Sequence, residues 1–304
     1  MDLSLIRERI LHDPQEFIAQ CDAHYADQFK DAASIIAARR PISPVILLSG
    51  YSGSGKTTTA EKISERLQRY GIRCHMISLD DYYRTRSLGG YPRTESGELD
   101  LESPLGLDIA LLNEQMAALE RYEPIRVPHF DFTAQARDES AWRDLQIKEN
   151  EVVLFEGINA LNPIFTEKNP HATRIFVAPL SPLTQNGDIV LGGEELRILR
   201  RCVRDYNFRN YSPLQTLSMW HNIRRGERLY INPYKDNAHT MIDTAHGYEL
   251  SVLGYIAKPL FEQLPDDAPF KYLTDSILRV LPELPQLDGG LLSPDCLLKK
   301  EFMK

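Results

Sequence analysis

Polar and apolar positions recur with a helical period in the first 43 residues of the chain. Asp13 and Glu16 have the spacing of a capping box, and Phe17 and Tyr25 lie on one apolar face of the helix that follows. This segment carries no catalytic pattern. We therefore predict that residues 1–43 form a helical extension that packs on the rest of the molecule.

Beyond residue 43, short apolar runs of strand length alternate with stretches of helical periodicity. That alternation is typical of an α/β fold, in which helices cover a mostly parallel sheet on both faces. Residues 44–304 are therefore predicted to form one such domain. The predicted strands are residues 44–49, 74–79, 152–156 and 173–177, and the predicted helices include residues 107–122 and 194–208.

A glycine-rich stretch, GYSGSGKTT, lies between the first predicted strand and a helical pattern. Its glycines let successive backbone amides converge on phosphate oxygens at a helix N-terminus. Lys56 adds a positive charge beside the β- and γ-phosphates, and the Thr57 hydroxyl is of the kind that binds Mg²⁺. A chance glycine turn is the alternative, but the strand and helix on either side favour nucleotide binding and a P-loop NTPase fold. The predicted nucleotide-binding residues are Gly50, Ser52, Gly53, Ser54, Gly55, Lys56, Thr57 and Thr58.

Two further predicted strands end in carboxylates. Asp80 and Asp81 follow the strand at residues 74–79, and Glu156 ends the strand at residues 152–156. In open parallel sheets, ligands bind beyond the carboxyl ends of the strands. Asp80 is therefore a candidate for chemistry, and Glu156 a candidate for ordering Mg²⁺ through water. The alternatives are an aspartate that caps a turn and a surface glutamate.

Residues 84–104 are polar and rich in glycine and proline, a pattern that indicates a lid or binding loop. An extended aromatic stretch, residues 124–132, is predicted to form an edge hairpin. Its His129, Phe130 and Phe132 either pack within that hairpin or form a stacking wall for a flat ligand, and the pattern favours neither.

An arginine stripe follows one face of the predicted helix at residues 194–208. Like charges on one face repel unless an anion meets them. In an acidic chain, this stripe and the hinge-like Gly- and Pro-rich link at residues 179–193 predict a lid, around residues 194–230, that closes on phosphates. The alternative is a solvated face, partly balanced by Glu194 and Asp205. The stripe comprises Arg197, Arg200, Arg201 and Arg204.

Composition narrows the classes of function. The 304 residues carry 35 basic and 43 acidic side chains, a net charge of -8 that argues against a broad nucleic-acid or membrane surface. The four cysteines lack C-x-x-C spacing, so neither a metal knuckle nor a disulfide framework is indicated. No apolar run reaches membrane-spanning length. We expect a cytoplasmic protein with a small-molecule partner, and a homo-oligomer is compatible with this composition.

Together, these motifs resemble those of the phosphoribulokinase/uridine kinase family of P-loop small-molecule kinases. The resemblance spans roughly residues 44–245, and the C-terminal YELSVL and CLLKKEF are similar to a bacterial uridine-kinase-like branch. It implies that ATP and Mg²⁺ support transfer of the γ-phosphate to a hydroxyl of a nucleoside-like substrate, with uridine and cytidine as first candidates. The motifs are GYSGSGKTT (50–58), SLDDYY (78–83), VPHFDFTAQAR (127–137), VVLFEGI (152–158) and RILRRCVRD (197–205).

The resemblance also implies roles for individual residues. Asp80 is similar to the family's general base, and Glu156 to its Mg²⁺-ordering acid. Glu102 falls where uridine kinases place an aspartate on the ribose diol, and Phe130 where a base-contacting tyrosine is expected. The remaining implied contacts are Arg201 and Arg204 with the transferring phosphate, Arg200 with the nucleotide, and Tyr83, Gln135, Arg137 and Arg209 with the substrate.

Two departures from the family pattern concern the substrate. Gln135 occupies the position of a histidine that helps select pyrimidines, and Asn210-Tyr211 replaces the usual Gly-Arg. A kinase of another hydroxylated metabolite, such as a sugar phosphate or a pantothenate-like acid, is therefore an alternative. A nucleotide-sensing regulator with little turnover is a second one. The absence of N-K-x-D and LSGGQ motifs argues against a GTPase switch or a transporter ATPase.

Overall fold

Two helices open the chain in the structure, which is a computed structural model and describes residues 1–304. Helix α1 spans Leu3–His12 and α2 spans Pro14–Arg39. The Asp13 carboxylate accepts a hydrogen bond from the Glu16 backbone amide at 2.9 Å and so caps the N-terminus of α2. The predicted N-terminal helices are confirmed.

Eleven strands follow, and five of them form a central sheet. The strands are β1 (Val45–Gly50), β2 (Arg73–Ser78), β3 (Ile125–Val127), β4 (Phe130–Asp131), β5 (Ala136–Arg137), β6 (Arg143–Leu145), β7 (Glu151–Glu156), β8 (Thr173–Ala178), β9 (Leu183–Gln185), β10 (Asp188–Leu191) and β11 (Thr240–Asp243). The central sheet is parallel throughout, in the order β11-β8-β1-β7-β2. The predicted α/β fold with a mostly parallel sheet is confirmed.

Eight further helices complete the fold: α3 (Lys56–Gln68), α4 (Ile109–Glu120), α5 (Pro163–Thr166), α6 (Gly193–Arg209), α7 (Pro213–Gly226), α8 (Tyr255–Phe261), α9 (Lys271–Val280) and α10 (Leu297–Phe302). Side chains of the buried central strand β1 alternate between two apolar clusters. Ile46 and Leu48 pack with α2, α3 and α6, whereas Val45 and Leu47 pack with α4 and α5. None of the helices combines the length and the apolar character that crossing a membrane requires.

The register of the sheet sets the geometry of the candidate site. Glu156, at the end of β7, pairs with Leu48 of β1 on one side and with Ser78 of β2 on the other. The loop after β1, the acid that ends β7 and Asp80 just beyond β2 therefore lie at one carboxyl edge of the sheet. Ligands of open parallel sheets bind at this edge.

The link between β8 and α6 differs from the prediction. It is a β-hairpin made of β9 and β10, whereas the sequence indicated a hinge. Asn186 and Gly187 form its turn with φ angles of 54° and 91°. Because a tight hairpin turn needs positive φ at both central residues, Asn-Gly is its strongest short signal. The Asn-Gly dipeptide therefore predicts the structure of this link better than its Gly- and Pro-rich composition does.

Candidate active site

The glycine-rich loop joins β1 to α3 and presents a row of backbone amides. Gly53 and Gly55 have φ angles of 77° and 84°, in the left-handed region that favours glycine. A Cβ on Gly50 would lie 2.2 Å from a backbone oxygen of β8, so no larger residue fits there. The amides of Lys56 and Thr57 make no hydrogen bond within the chain. They are free donors at the positive end of α3, an arrangement that binds phosphate.

Oxygen atoms from the loop and from β7 form a second feature of the site. Thr57 Oγ1 lies 3.4 Å from Glu156 Oε1. Burial raises the pKa of Glu156; Lys56 opposes that rise, and Asp80 adds to it. No group of three or more His, Cys, Asp or Glu side chains is placed to hold a metal ion. The hydroxyl and carboxylate nevertheless fit Mg²⁺, which prefers oxygen ligands and keeps several waters.

Asp80 lies just beyond β2, in a short 3₁₀ turn. Its backbone amide donates to Ser78 Oγ at 3.3 Å, but its carboxylate makes no hydrogen bond within the chain. Burial raises the pKa of Asp80; Lys56 opposes this rise, Asp81 adds to it, and Arg209 opposes it. A carboxylate with free oxygens and a raised pKa is suited to accept a proton from a hydroxyl.

Asp81 has a different environment from its neighbour. Its carboxylate accepts a hydrogen bond from the Phe130 backbone amide at 3.3 Å and lies 3.1 Å from His129 Nδ1. These contacts fix the start of β4 against the turn after β2. Of the two adjacent aspartates, Asp81 therefore positions backbone, and only Asp80 has oxygens free for chemistry.

Glu102 is partly buried in the neighbourhood of Asp80. Its carboxylate makes no hydrogen bond within the chain, and Gly226 permits its close approach, because a Cβ on that glycine would lie 2.2 Å from the Glu102 Cβ. Burial raises the pKa of Glu102 to about 7; Arg201 opposes the rise, whereas Asp80 is among the acids that add to it. A free acceptor this close to Asp80 can bind hydroxyl groups of a ligand.

Replacing Glu102 with glutamine is expected to change how stability depends on pH. The folded protein holds the Glu102 proton up to about pH 7, whereas an unfolded chain releases it near 4.5. Below pH 4.5 the Glu102 side chain is protonated in both states and does not change stability with pH. Between pH 4.5 and about 7 only the folded state keeps the proton, so the wild type loses stability as the pH rises through this range. The unfolding free energy of Glu102→Gln, relative to wild type, should rise by up to about 3 kcal/mol over that range. Urea denaturation at several pH values measures this difference in unfolding free energy. A difference that does not change with pH would contradict the prediction.

The arginine stripe of α6 faces the interior, where its charges have partners. Arg197 pairs with both carboxylate oxygens of Glu227, and Arg200 with both of Glu249. The Arg200 side chain is 0% exposed, and its other donors reach Thr244 and a backbone oxygen of the glycine loop. The prediction that Arg200 contacts the nucleotide is wrong, because no donor of its guanidinium is free. The solvated-face interpretation is not supported for Arg197 and Arg200, because their side chains are 7% and 0% exposed.

The remaining predicted lid arginines gather around one buried acid, Asp205. Arg201 Nε lies 3.4 Å from it, and Arg201 Nη1 also donates to Ser52 Oγ at 2.5 Å. Arg204 Nη2 lies 2.8 Å from the same carboxylate, and the half-exposed Arg209 lies 3.5 Å from it. The structure thus brings Arg201 to the glycine loop. Movement of these residues as a lid stays a prediction.

The aromatic stretch forms part of two short strand pairs, β3 with β6 and β4 with β5. Phe130 is 2% exposed, with its ring centroid 5.7 Å from that of Tyr83 and 5.2 Å from that of Phe132. A ring buried to this extent has almost no surface for a ligand, so the predicted contact of Phe130 with a base is not supported. Phe132 is 59% exposed and does offer such a surface.

Gln135 and Arg137 follow the aromatic stretch, in the turn and in β5, and their surroundings differ. The Arg137 guanidinium donates to the carbonyls of Tyr83 and Tyr82 at 3.1 and 3.0 Å, and to Asp108 at 3.0 Å. These hydrogen bonds tie β5 to the turn after β2, and the predicted contact of Arg137 with substrate stays a prediction. Gln135 is exposed with φ of 55°, and its side-chain amide makes no hydrogen bond within the chain.

Three carboxylates near the site were not identified from the sequence. Glu227 and Glu249 are the partners of two stripe arginines, and Glu301 Oε1 accepts a hydrogen bond from the Thr58 backbone amide at 3.1 Å. The buried stripe implies that counter-charges exist, but it does not say where. Glu301 has no local signal at all, because its partner lies 243 positions away.

A cavity of about 740 Å³ lies beside these residues, and Glu227 and its partner Arg197 line part of it. Tyr51 of the glycine loop lines it, together with charged side chains of α6 and α7. Neither Lys56, Asp80 nor Glu156 contributes to its wall. Because none of the free candidate groups faces it, its volume does not locate the chemistry.

A parallel sheet with a strand, a glycine-rich loop and a helix N-terminus that binds phosphate defines a P-loop α/β protein. This chain belongs to the phosphoribulokinase/uridine kinase family, whose model matches residues 45–250. The family consists of phosphotransferases that use ATP. The predicted family is confirmed.

Several known proteins are similar to the chain. Uridine kinase of Anoxybacillus flavithermus is 28% identical over 205 residues, which cover 67% of this chain and 86% of that protein. Uridine kinase of Borreliella burgdorferi is 29% identical over 205 residues, covering 66% and 86%. A solved structure of a possible uridine kinase from Bacillus stearothermophilus is 16% identical, with a TM-score of 0.47, over 71% of this chain and 98% of that one.

Proposed function

We propose that the chain is an ATP-dependent kinase that transfers the γ-phosphate to a hydroxyl group of a nucleoside-like substrate, with uridine and cytidine as first candidates. The observation that carries this proposal is the Asp80 carboxylate, which makes no hydrogen bond within the chain and interacts electrostatically with Lys56. Attack of a hydroxyl on a phosphate needs a base in this position. The names of the similar proteins supply the substrate class.

The free amides and Lys56 would grip the triphosphate, since Lys56 Nζ is held over the loop by a 3.1 Å hydrogen bond to the Tyr51 carbonyl. Thr57 and Glu156 would hold Mg²⁺, which supplies charge neutralisation at the β- and γ-phosphates. Asp80 takes the proton as the substrate oxygen bonds to the γ-phosphorus and the bond to the ADP oxygen breaks. Positioning and electrostatics provide most of the rate enhancement in such a transfer.

The acceptor would lie between Asp80 and the aromatic stretch at residues 124–132. Glu102 offers a carboxyl group without a protein partner for the hydroxyl pair of a ribose. Burial raises the pKa of the neighbouring Tyr83, and the charges of Asp80 and Glu102 add to that rise. Phe132 and Gln135 contribute an exposed ring and a free amide for the base. An amide both donates and accepts, so it can contact either pyrimidine.

Arg201, Arg204 and Arg209 would neutralise the transferring phosphate within a lid formed by residues 194–230 of the kinase domain, residues 44–304. Arg201 already contacts Ser52 of the glycine loop. Their present partner is Asp205, which lies on the same helix. A phosphate oxygen offers these guanidinium groups the same bidentate geometry as a carboxylate.

A panel of acceptors tests the proposal through ADP release with MgATP. Uridine and cytidine should support turnover, and Lys56→Ala should lower it by at least about 10²- to 10³-fold, the usual effect of losing one group that stabilises transition-state charge. Lys62→Ala is the matched control, because Lys62 is on the same helix and pairs only with Glu65, at 3.1 Å. Release only with sugar phosphates or pantothenate-like acids would favour another metabolite kinase. MgATP binding with no release for any acceptor would favour a nucleotide sensor.

A further inference from the structure

The short C-terminal helix α10 packs directly against the glycine loop. Its Leu297, Leu298 and Phe302 are buried, and the Phe302 carbonyl accepts a hydrogen bond from Asn207 Nδ2 at 2.8 Å. A Cβ on Gly55 would lie only 2.6 Å from Leu297 Cδ1. Gly55 therefore serves two purposes, a left-handed backbone and room for the helix that covers it.

A carboxylate of this helix occupies one of the loop's phosphate-binding donors. Glu301 Oε1 accepts the Thr58 backbone amide at 3.1 Å. That amide is the third of the first turn of α3, after those of Lys56 and Thr57, which make no hydrogen bond within the chain. Such first-turn amides favour anions, whether these come from a side chain or from a phosphate.

The charge of Glu301 extends into the rest of the site. Burial raises the pKa of Glu156, and Glu301 is among the acids that add to this rise. A polyanionic ligand at the loop would therefore meet both the bulk of α10 and a negative charge already in place. The polar contacts that hold α10 outside the site lie near the surface, such as the pair between Lys300 and Glu61. Partly exposed polar contacts of this kind open more readily than buried ones. Displacing α10 also moves Leu297, Leu298 and Phe302 out of the apolar core.

We propose that α10 is an intramolecular competitor of the nucleotide. Glu301 holds the amide of Thr58, a residue that the sequence predicts to bind the nucleotide, so this inference rests on the proposed function. MgATP binding then requires that Glu301 leave the amide, and the docked helix lowers the apparent affinity of the site. Helix α10 is thus an autoinhibitory element that weakens nucleotide binding.

Calorimetric titration of wild type and Glu301→Gln with MgATP, and separately with inorganic tripolyphosphate, tests the proposal. Glutamine keeps the size of the side chain but weakens the charge-assisted hydrogen bond, so both ligands should bind about tenfold more tightly. Glu65→Gln is the matched control, because it removes the same charge from the exposed side of α3, and its affinities should equal those of wild type. Equal or weaker binding to Glu301→Gln, with a folded protein by circular dichroism, overturns the proposal.

Hydrogen exchange of residues 297–302 gives a second measurement. Saturating wild type with MgATP should accelerate exchange in this segment, since the helix is displaced. Slower exchange would mean that the segment closes on the nucleotide as part of its binding site. That result would also overturn the proposal that α10 competes with the nucleotide. Failure of both ligands to bind wild type, Glu301→Gln and Glu65→Gln would instead refute phosphate binding by the loop, and with it the proposed function itself.

Discussion

Replacing Asp80 with asparagine should lower kcat by about 10²- to 10⁴-fold while the affinity for MgATP stays nearly unchanged. Asparagine has the size of aspartate but does not take a proton from the attacking hydroxyl. The Asp80 carboxylate makes no hydrogen bond within the chain, so the substitution deprives no other residue of a hydrogen-bond partner. Steady-state kinetics with the best acceptor and calorimetry with MgATP measure the two effects separately.

Asp81→Asn is the matched control for this experiment, because it removes the same charge one residue away. Its side-chain oxygen still accepts the Phe130 amide, so kcat should fall by less than about tenfold. In wild type, activity should fall on the acid side with a midpoint above 3.8, since burial raises the Asp80 pKa and the base must be ionised. Near-normal turnover of Asp80→Asn would remove Asp80 from the mechanism.

Replacing Arg200 with methionine should destabilise the fold by about 3–5 kcal/mol, the typical cost of leaving one buried charge unpaired. Its partner, Glu249, is 0% exposed and keeps only that guanidinium as counter-charge. Thermal unfolding should show a melting temperature lower by roughly 10 °C for a chain of this length. We expect the substitution to act through stability because every guanidinium donor of Arg200 is bound within the chain.

Two comparisons separate this outcome from other causes. Arg200→Met combined with Glu249→Met should lose less stability than the sum of the single variants, since no unpaired charge remains. Arg224→Met removes a partly exposed pair with Glu194, 3.1 Å long, and should cost less than about 1 kcal/mol. A stable Arg200→Met protein with weakened MgATP binding would show that Arg200 contacts the nucleotide after all.

The arginine stripe shows where local pattern and tertiary structure diverge. Helical spacing places four arginines on one face of α6, and an acidic chain makes a phosphate their plausible partner. In the folded chain, Arg197 and Arg200 instead form ion pairs with Glu227 and Glu249. These acids lie 30 and 49 positions further along the chain. Spacing along one helix reports which side chains share a face, but not which element packs against that face.

Motifs with a local cause were predictable from the sequence. The glycine loop, the strands that flank it and the carboxylates at their tips depend on backbone conformation and on the period of apolar residues. Within the Asp80-Asp81 pair, however, only the structure separates the roles, because Asp81 meets Phe130, 49 positions further along. Phe130 and Phe132 likewise share a motif, yet one ring is buried and the other exposed.

The sequence by itself determined the class of fold, the phosphate-binding loop and the family, since each depends on residues close together in the chain. Only the tertiary structure decided which charges are free and which are paired: Arg200 and Arg137 are bound internally, Asp80 and Glu102 are not, and Glu301 reaches the loop from the far end of the chain. The physical reason is that burial and ion pairing depend on which distant segments are brought together, and no local period encodes that.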